Sequence, residues 1–261
     1  MKDVQNQQGP YHLDIDKVGV RDISYPIVVL DKARGTQHTV ATCNMFVNLP
    51  RRFKGTHMSR FIEILNEYRE KIDVRYVNEI LHKMKERLSA QSAHIDITFP
   101  YFIEKMAPVS NELGLMEYTC SYHGYSGEDD EFIVGIRVPV TTLCPCSREI
   151  ADVGAHNQRG YVHVRLLYEK FFWIEDIITL IEGSASAGVY SLLKRVDEKH
   201  LTELAYRNPM FVEDVVRKTA DGLMELGLFR WFSVSAENIE SIHNHSAYAY
   251  LEWGEPPEVC R

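Results

Sequence analysis

The chain lacks any apolar run long enough to cross a bilayer: no uncharged stretch approaches the roughly 18–20 residues that a spanning helix needs. It also lacks an excess of basic charge. Lys and Arg number 29 against 37 Asp and Glu, for a formal net charge of −8. That is a poor basis for general nucleic-acid binding, which needs a basic surface. An anionic small substrate is compatible with it only where basic residues gather locally. There is no G-x-x-x-x-G-K-[ST] loop, no G-x-G-x-x-G and no H-E-x-x-H, so P-loop, dinucleotide-binding and zincin readings have no support. Low-complexity segments and Pro/Gly/Ser linkers are absent. The opening stretch, Met1 to Pro10, is polar and has no apolar core of a signal peptide; the expectation is a mobile tail over residues 1–17. Five cysteines (Cys43, Cys120, Cys144, Cys146 and Cys260) are an odd number with no secretion signal, which favours reduced thiols in the cytoplasm over a disulfide framework. The sequon Asn244-His245-Ser246 carries no meaning in that compartment.

What is present is ordinary globular composition, 45% apolar and 25% charged, in a length that suits one large domain or two smaller ones. Thr39, Ala41, Cys43, Met45, Val47 and Leu49 alternate with polar residues, the period of a half-buried strand. Ile23 to Leu30 is its expected hairpin partner across Arg34-Gly35. Met58, Phe61, Ile62 and Leu65 mark a helix with Thr56 as N-cap. Val74, Val77, Leu81, Met84 and Leu88 mark a second helix, with Asp73 before it. Strands return over Ile95 to Phe102 and Leu113 to Tyr122. The turn Ser126-Gly127-Glu128-Asp129-Asp130 separates a first module, residues 18–125, from a second, residues 126–261.

The second half repeats the order. Phe132 to Val140 and the alternation about Val162, Val164 and Leu166 are strands. Ile174, Ile177, Ile178 and Ile181 form a helical stripe. Asn208-Pro209 is expected to open a long helix with stripe Val212, Val215, Val216 and Leu223. Phe229 to Ala236 and Ser246 to Trp253 close as strands. Two ββααββ units imply an α+β fold with antiparallel sheets and a helix pair on one face of each.

Chemistry concentrates in a few segments. Cys144-Pro145-Cys146 follows a strand, and His156 lies 12 residues beyond Cys144 across a loop of turn formers. A disulfide within Cys-x-Cys would close a very tight ring, whereas thiolate and imidazole suit a borderline-soft cation. Glu237 to Ser246 sits between the last two strands and carries Glu240, His243 and His245, groups that move protons near neutral pH. Glu198 and Glu213 lie on helix-rich ground. Lys54-Gly55-Thr56-His57, with Arg51 and Arg52 nearby, opens a helix and offers positive charge to an anion.

Taken together, Lys54-Gly-Thr-His-Met-Ser-Arg-Phe61, Pro139 to Ser147, Gly154-Ala-His-Asn-Gln-Arg159, Asp197-Glu-Lys199, Asn208-Pro to Phe211-Val-Glu-Asp214 and Glu240 to Tyr250 resemble, in order, the motifs of type IB GTP cyclohydrolase. The resemblance implies a bimodular tunnelling fold, a homotetramer with active sites at subunit interfaces, and conversion of GTP to 7,8-dihydroneopterin triphosphate and formate at the start of folate biosynthesis. It implies a divalent metal, zinc or manganese or iron, on Cys144, His156 and Glu198. It also makes Cys144, Cys146, Glu240, His243 and His245 catalytic, and gives Glu213 the guanine edge. Lys54, His57, Arg148 and Arg159 are expected at the triphosphate on charge and loop position. Neither nucleic acid nor a membrane is an expected partner. The alternatives are a nicotinamide-dependent nitrile reductase of similar fold and a structural zinc-binding module.

Overall fold

The computed structural model describes Gln5, residues 11–69, Ile72 and residues 74–257. The expected tail over Met1 to Pro10, except Gln5, lies outside the described residues, as do Asp73 and Cys260. Nine strands and six helices are found among the described residues, and the strands form an antiparallel sheet in the order β1-β2-β3-β4-β5-β6-β8-β9, with β7 beside β5. The chain divides into two compact units. One takes the residues up to Pro100 with Ser121–Val134; the other takes Tyr101–Cys120 and Gly135–Pro256.

In the first unit, β1 (Ile15–Asp31) pairs with β2 (Gly35–Leu49) from Ile15↔Leu49 to Asp31↔Gly35. The hairpin expected across Arg34-Gly35 is therefore present and much longer than its sequence signal, and residues 15–17, read as tail, are strand. Gly35 takes φ +80°, which an L side chain rarely adopts, and the Asp31 carboxylate accepts the N–H groups of Ala33 and Arg34. β2 in turn pairs with β3 (Ala93–Met106) over Thr42–Val47. Helices α1 (Met58–Glu67) and α2 (Val77–Leu88) lie against each other and against these strands. The N-cap of α1 is His57, not Thr56, and its buried face is Phe61, Ile64 and Leu65, while Met58 and Ile62 stay partly exposed. The apolar stripe is rotated from the expected one because Ile64, not Ile62, points at the sheet. α2 starts at Val77 and buries Val77, Ile80, Leu81, Met84 and Leu88; Val74 falls in the preceding turn.

β3, β4 (Leu113–Ser126) and β5 (Asp130–Leu143) each pass from one unit to the other. In the second unit β6 (Asn157–Tyr168) pairs with β8 (Phe229–Glu240), and β8 with β9 (Ser246–Gly254). A short helix α3 (Pro145–Ile150) follows β5. Helix α4 (Ile174–Gly183) buries Ile174, Ile177, Ile178 and Ile181, the expected stripe, each worth about 1.5–3 kcal/mol when fully covered. The two-residue β7 (Ala187–Gly188) leads to α5 (Arg195–Arg207), and α6 (Val212–Leu226) packs on β8 and β9. Asn208 closes α5 and does not open α6, whose N-cap is Phe211. Its side-chain amide is used elsewhere, donating to the carbonyls of Ala185 and Ser186 at 3.0 and 3.3 Å. The second half is therefore a ββααββ frame enlarged by α3, β7 and α5.

Candidate active site

Leu143 ends β5 and anchors the segment after it. Its N–H donates to Ser186 Oγ at 3.1 Å, its carbonyl accepts from the N–H of Met210 at 3.0 Å, and its side chain is buried with Ala187 and Ala205. The next residue, Cys144, is the N-cap of α3, and Pro145 follows at the first helical position, where its missing N–H costs nothing. The loop after α3 turns at Gly154, φ +77°, and returns His156 to Cys144. The Cys144 N–H donates to the carbonyl of His156 at 3.2 Å, Ser147 N–H donates to Cys144 Sγ at 3.4 Å, and Ser147 Oγ accepts the N–H of His156 at 3.2 Å. Cys144 and His156, twelve residues apart in sequence, are thereby stapled through Ser147. Cys144 is half-buried, Cys146 is exposed, and Cys43 and Cys120 are buried; all four are free thiols.

His156 leads directly into β6, whose start lies beside the end of β8: Gln158 pairs with Glu240, Arg159 with Ile239 and Gly160 with Asn238. β8 thus runs through Glu240, and only residues 241–245 form the connection to β9. His243 Nε2 is 3.5 Å from Glu240 Oε2, and the rings of His243 and His245 stack at 5.0 Å with an 18° tilt. Gln158, Gly160, Asn238 and Glu240 continue the face that carries Val162, Val164, Val234 and Ala236 in the core. A Cβ at Gly160 would stand 2.5 Å from Asn238 Oδ1 and 3.2 Å from Val140 Cγ2, so β5 contributes to the same face. On this stretch the buried positions turn from apolar to polar. Thr142 Oγ1, Gln158 Oε1 and Asn238 Nδ2 are buried without a hydrogen-bond partner, and so is His156 Nδ1. Four such atoms near one end of β5, β6 and β8 are what a ligand-binding site leaves behind, because each costs about 1–3 kcal/mol until something pairs with it.

The opposite face at the same strand end is covered by α5. A cavity of about 250 Å³ opens there, lined by Thr141, Asn157, Arg159, Tyr190, Glu198 and Thr202 among others. A neighbouring cavity of about 400 Å³ shares Asn157, Thr202 and Ala205 and adds Leu143, Ala155 and Tyr206. Glu198 and Arg159, distant in sequence, therefore meet one cavity. Arg148 lays its guanidinium over the Tyr206 ring at 4.9 Å. Glu213 is exposed in the first turn of α6, three residues after the Met210 amide that bonds to Leu143. Lys54 and His57 belong to the first unit, where Gln5 accepts the N–H groups of Lys54 and Gly55. They precede α1 and do not form its first turn. Thr142, Gln158 and Asn238 escaped the sequence reading. The available signal was a polar residue at a core-facing position of an otherwise apolar alternation.

The donor types fit a zinc-like ion: one thiol, one imidazole with a buried nitrogen that nothing pairs, and one carboxylate. Among the described residues no three His, Cys, Asp or Glu side chains stand close enough together to hold a metal ion. Cys144 and His156 are assembled; Glu198 reaches the neighbouring cavity.

These features define an α+β enzyme with a polar pocket built at one end of an antiparallel sheet. The likeness to solved structures is one of fold: a highly active mutant of Bacillus sp. TB-90 urate oxidase superimposes with a TM-score of 0.56 at 8% identity, over 92% of this chain and 100% of the other. A uricase from Bacillus fastidious gives 0.54 at 7% identity, over 91% and 92%. Both are tunnelling-fold proteins. The sequence relatives are more specific. The family model for type I GTP cyclohydrolase folE2 matches residues 1–249. GTP cyclohydrolase FolE2 of Syntrophus aciditrophicus (strain SB) is 60% identical over 253 residues, 97% of this chain and 99% of that protein. That of Geotalea uraniireducens (strain Rf4) is 58% identical over 252 residues, 97% and 93%. The chain belongs to the type I GTP cyclohydrolase folE2 family. That membership leaves the nitrile reductase and the structural zinc module without support.

Proposed function

We propose that this protein hydrolyses GTP to 7,8-dihydroneopterin triphosphate and formate, the entry step of folate biosynthesis, at the end of β5, β6 and β8. The observation that carries the reading is the Cys144–Ser147–His156 staple, with its unpaired buried imidazole nitrogen, at the strand end that also carries Glu240, His243 and His245. Cys144, His156 and Glu198 are the proposed ligands of a divalent ion, zinc first on donor softness, with manganese or iron as the alternatives. When bound, such an ion supplies a Lewis acid and a nucleophile at neutral pH for hydrolysis at C8.

The chain's own groups do the rest. His243, oriented by Glu240, protonates the ring nitrogen freed when the first C8–N bond is hydrolysed, is reprotonated with a proton of the attacking water, and protonates the second nitrogen when hydrolysis of the remaining C8–N bond releases C8 as formate. His245 stacks on His243 and serves the later opening and reclosure of the ribose-derived carbons. Cys146, exposed beside Cys144, is the second thiol at the reacting ring. Glu213 accepts from the N1–H and 2-amino group of guanine, a planar pair of donors that suits a carboxylate. Arg159 at the cavity, with Arg148, Lys54 and His57, contacts the triphosphate. Residues 18–125 and 126–261 are the proposed modules, and the working form is a cytoplasmic homotetramer with interface sites.

The test is GTP turnover by metal-free protein re-supplied with zinc, manganese or iron, read as formate and as the fluorescence of the oxidised pterin. Cys144→Ala should lose more than about 100-fold, since even residues behind a ligand cost 10–100-fold. Loaded wild-type protein that releases no formate from GTP would overturn the assignment.

A further inference from the structure

Helix α5 carries Glu198, and its apolar hold lies in its later turns, where Ala205 is buried with Leu143 and Ala187 and Leu201 and Leu204 pack partly buried against them; its first turn has none. Of its 13 residues only Asp197 and Ala205 are buried, and Val196 is 53% exposed. A surface helix is normally fixed by a stripe of apolar side chains. Here the first turn is fixed by a carboxylate instead. Asp197 is wholly buried. Its Oδ1 accepts the N–H of Val109 at 2.9 Å and of Ser110 at 2.8 Å; its Oδ2 accepts the Ser110 hydroxyl at 2.6 Å and the N–H of Lys194 at 2.8 Å. Only the last of these is a helix-capping bond. The other three reach the turn between β3 and β4, 87 or 88 residues away in sequence. Burial by itself would raise this carboxyl, but the donors from Ser110, Lys194 and Val109 outweigh it and hold it well below the usual carboxylate range.

The turn is itself shaped to receive α5. Ala107 N–H donates to the carbonyl of Glu112 at 2.9 Å, and Asn111 takes φ 59°. Glu112 pairs with Lys194 at 3.7 Å. A Cβ at Gly114 would stand 2.6 Å from Ser191 Oγ, so the segment leading into α5 lies directly on β4. Successive residues on a helix point about 100° apart. With Asp197 locked into the turn, Glu198 is turned away from it, to the cavity that also holds Arg159.

We propose that Asp197 is a positioning residue: by locking the first turn of α5 onto the β3–β4 turn, through Ser110 above all, it holds the Glu198 carboxylate in place for the metal. This rests on the reading of Glu198 as a ligand. The experiment measures zinc affinity of the full-length metal-free protein by competition with a chromogenic chelator. Melting temperature and the visible bands of the cobalt-loaded form are recorded beside it. Asp197→Asn should weaken zinc by roughly 10–100-fold, the usual effect of a group behind a ligand, and shift the cobalt bands. Ser110→Ala, which keeps the buried carboxylate and all three of its backbone donors, should weaken zinc less but in the same direction, and it carries the test should Asp197→Asn not fold. Glu198→Gln is the reference. If it weakens zinc while Ser110→Ala and any folded Asp197→Asn protein bind zinc as wild type does, whatever their melting temperatures, the positioning role is overturned and the ligand reading stands. If Glu198→Gln binds zinc as wild type does, the ligand reading itself is overturned, and the proposal with it. In a Glu198→Gln background Asp197→Asn should cause no further loss; a full second loss would also refute transmission through Glu198.

Discussion

Replacing Gln158 by Met separates a residue kept for binding from one kept for folding. Gln158 is 6% exposed on a core-facing position of β6, and its Oε1 is buried without a partner. Such an acceptor costs about 1–3 kcal/mol in the ligand-free protein. Met has nearly the same volume and shape, and volume-conserving swaps cost less than about 1.5 kcal/mol. The two terms favour Gln158→Met in the empty protein, by about 1 kcal/mol, a rise of about 2–4 °C in melting temperature for a chain of this size. Function should move the other way. With Oε1 read as an acceptor kept for the bound substrate, losing that one hydrogen bond, about 1.4 kcal/mol, should lower kcat/KM for GTP about 10-fold. The substrate's stabilisation of the fold should shrink in step. The assay is a pair of melts, with and without a non-hydrolysable GTP analogue, beside formate release. A variant that melts several degrees lower and turns over GTP normally would refute the reasoning, because Oε1 would then have a structural partner.

Two further outcomes are expected. Gly160→Ala drives a Cβ to 2.5 Å from Asn238 Oδ1 and should cost about 1–3 kcal/mol of stability in a melt, with a larger proportional loss of turnover than other substitutions of equal cost; unchanged turnover would remove Asn238 from the site. Burial, with the Lys17 ammonium adding to it, pushes the His94 imidazole down to about 4. The unfolded chain takes up this proton near pH 6.5 and the folded one does not until about 4, so stability from His94 is complete above pH 6.5, is lost as pH falls from 6.5 to 4, and changes no further below. The loss should be about 1–2 kcal/mol once partial exposure is discounted, and His94→Gln should flatten that part of the curve in denaturant melts between pH 7.5 and 4. Asp96 and Asp197, both held below the usual carboxylate range, withdraw their contribution only as pH falls below about 3.8, outside that window.

Periodicity made most of the fold readable. The four isoleucines of α4 and the alternation of β2 are buried as the pattern requires. It failed where burial is polar. α5 shows only a short stripe, Leu201, Leu204 and Ala205, because a carboxylate and not an apolar side chain seats its first turn, and Asn208 looks like a helix start although its amide serves the backbone at residues 185 and 186. The same limit applies to the site. Cys144 and His156 stand out by spacing across a turn, and Ser147 between them is explained only by the two bonds it makes. Thr142, Gln158 and Asn238 sit near strand ends, where a polar residue ordinarily means solvent. Their burial comes from neighbouring strands and helices, which local pattern does not contain.

The second unit thereby assigns stability and chemistry to different stretches of the same strands. Along β6 and β8 the core-facing positions from Val162 to Leu166 and from Phe232 to Ala236 are apolar and fully covered. Two to four residues further on, the same face presents Asn238, Gln158 and Glu240, and the hydrogen-bonding capacity of Asn238 Nδ2 and Gln158 Oε1 is left open. Repacking that end with apolar side chains would relieve the desolvation cost. The polar groups that remain there are intelligible as groups held ready for a ligand's edges, fixed by strands that the apolar stretch keeps rigid. The carboxylate on α5 needs a separate anchor because it lies on the other face of the sheet, beyond the reach of that core.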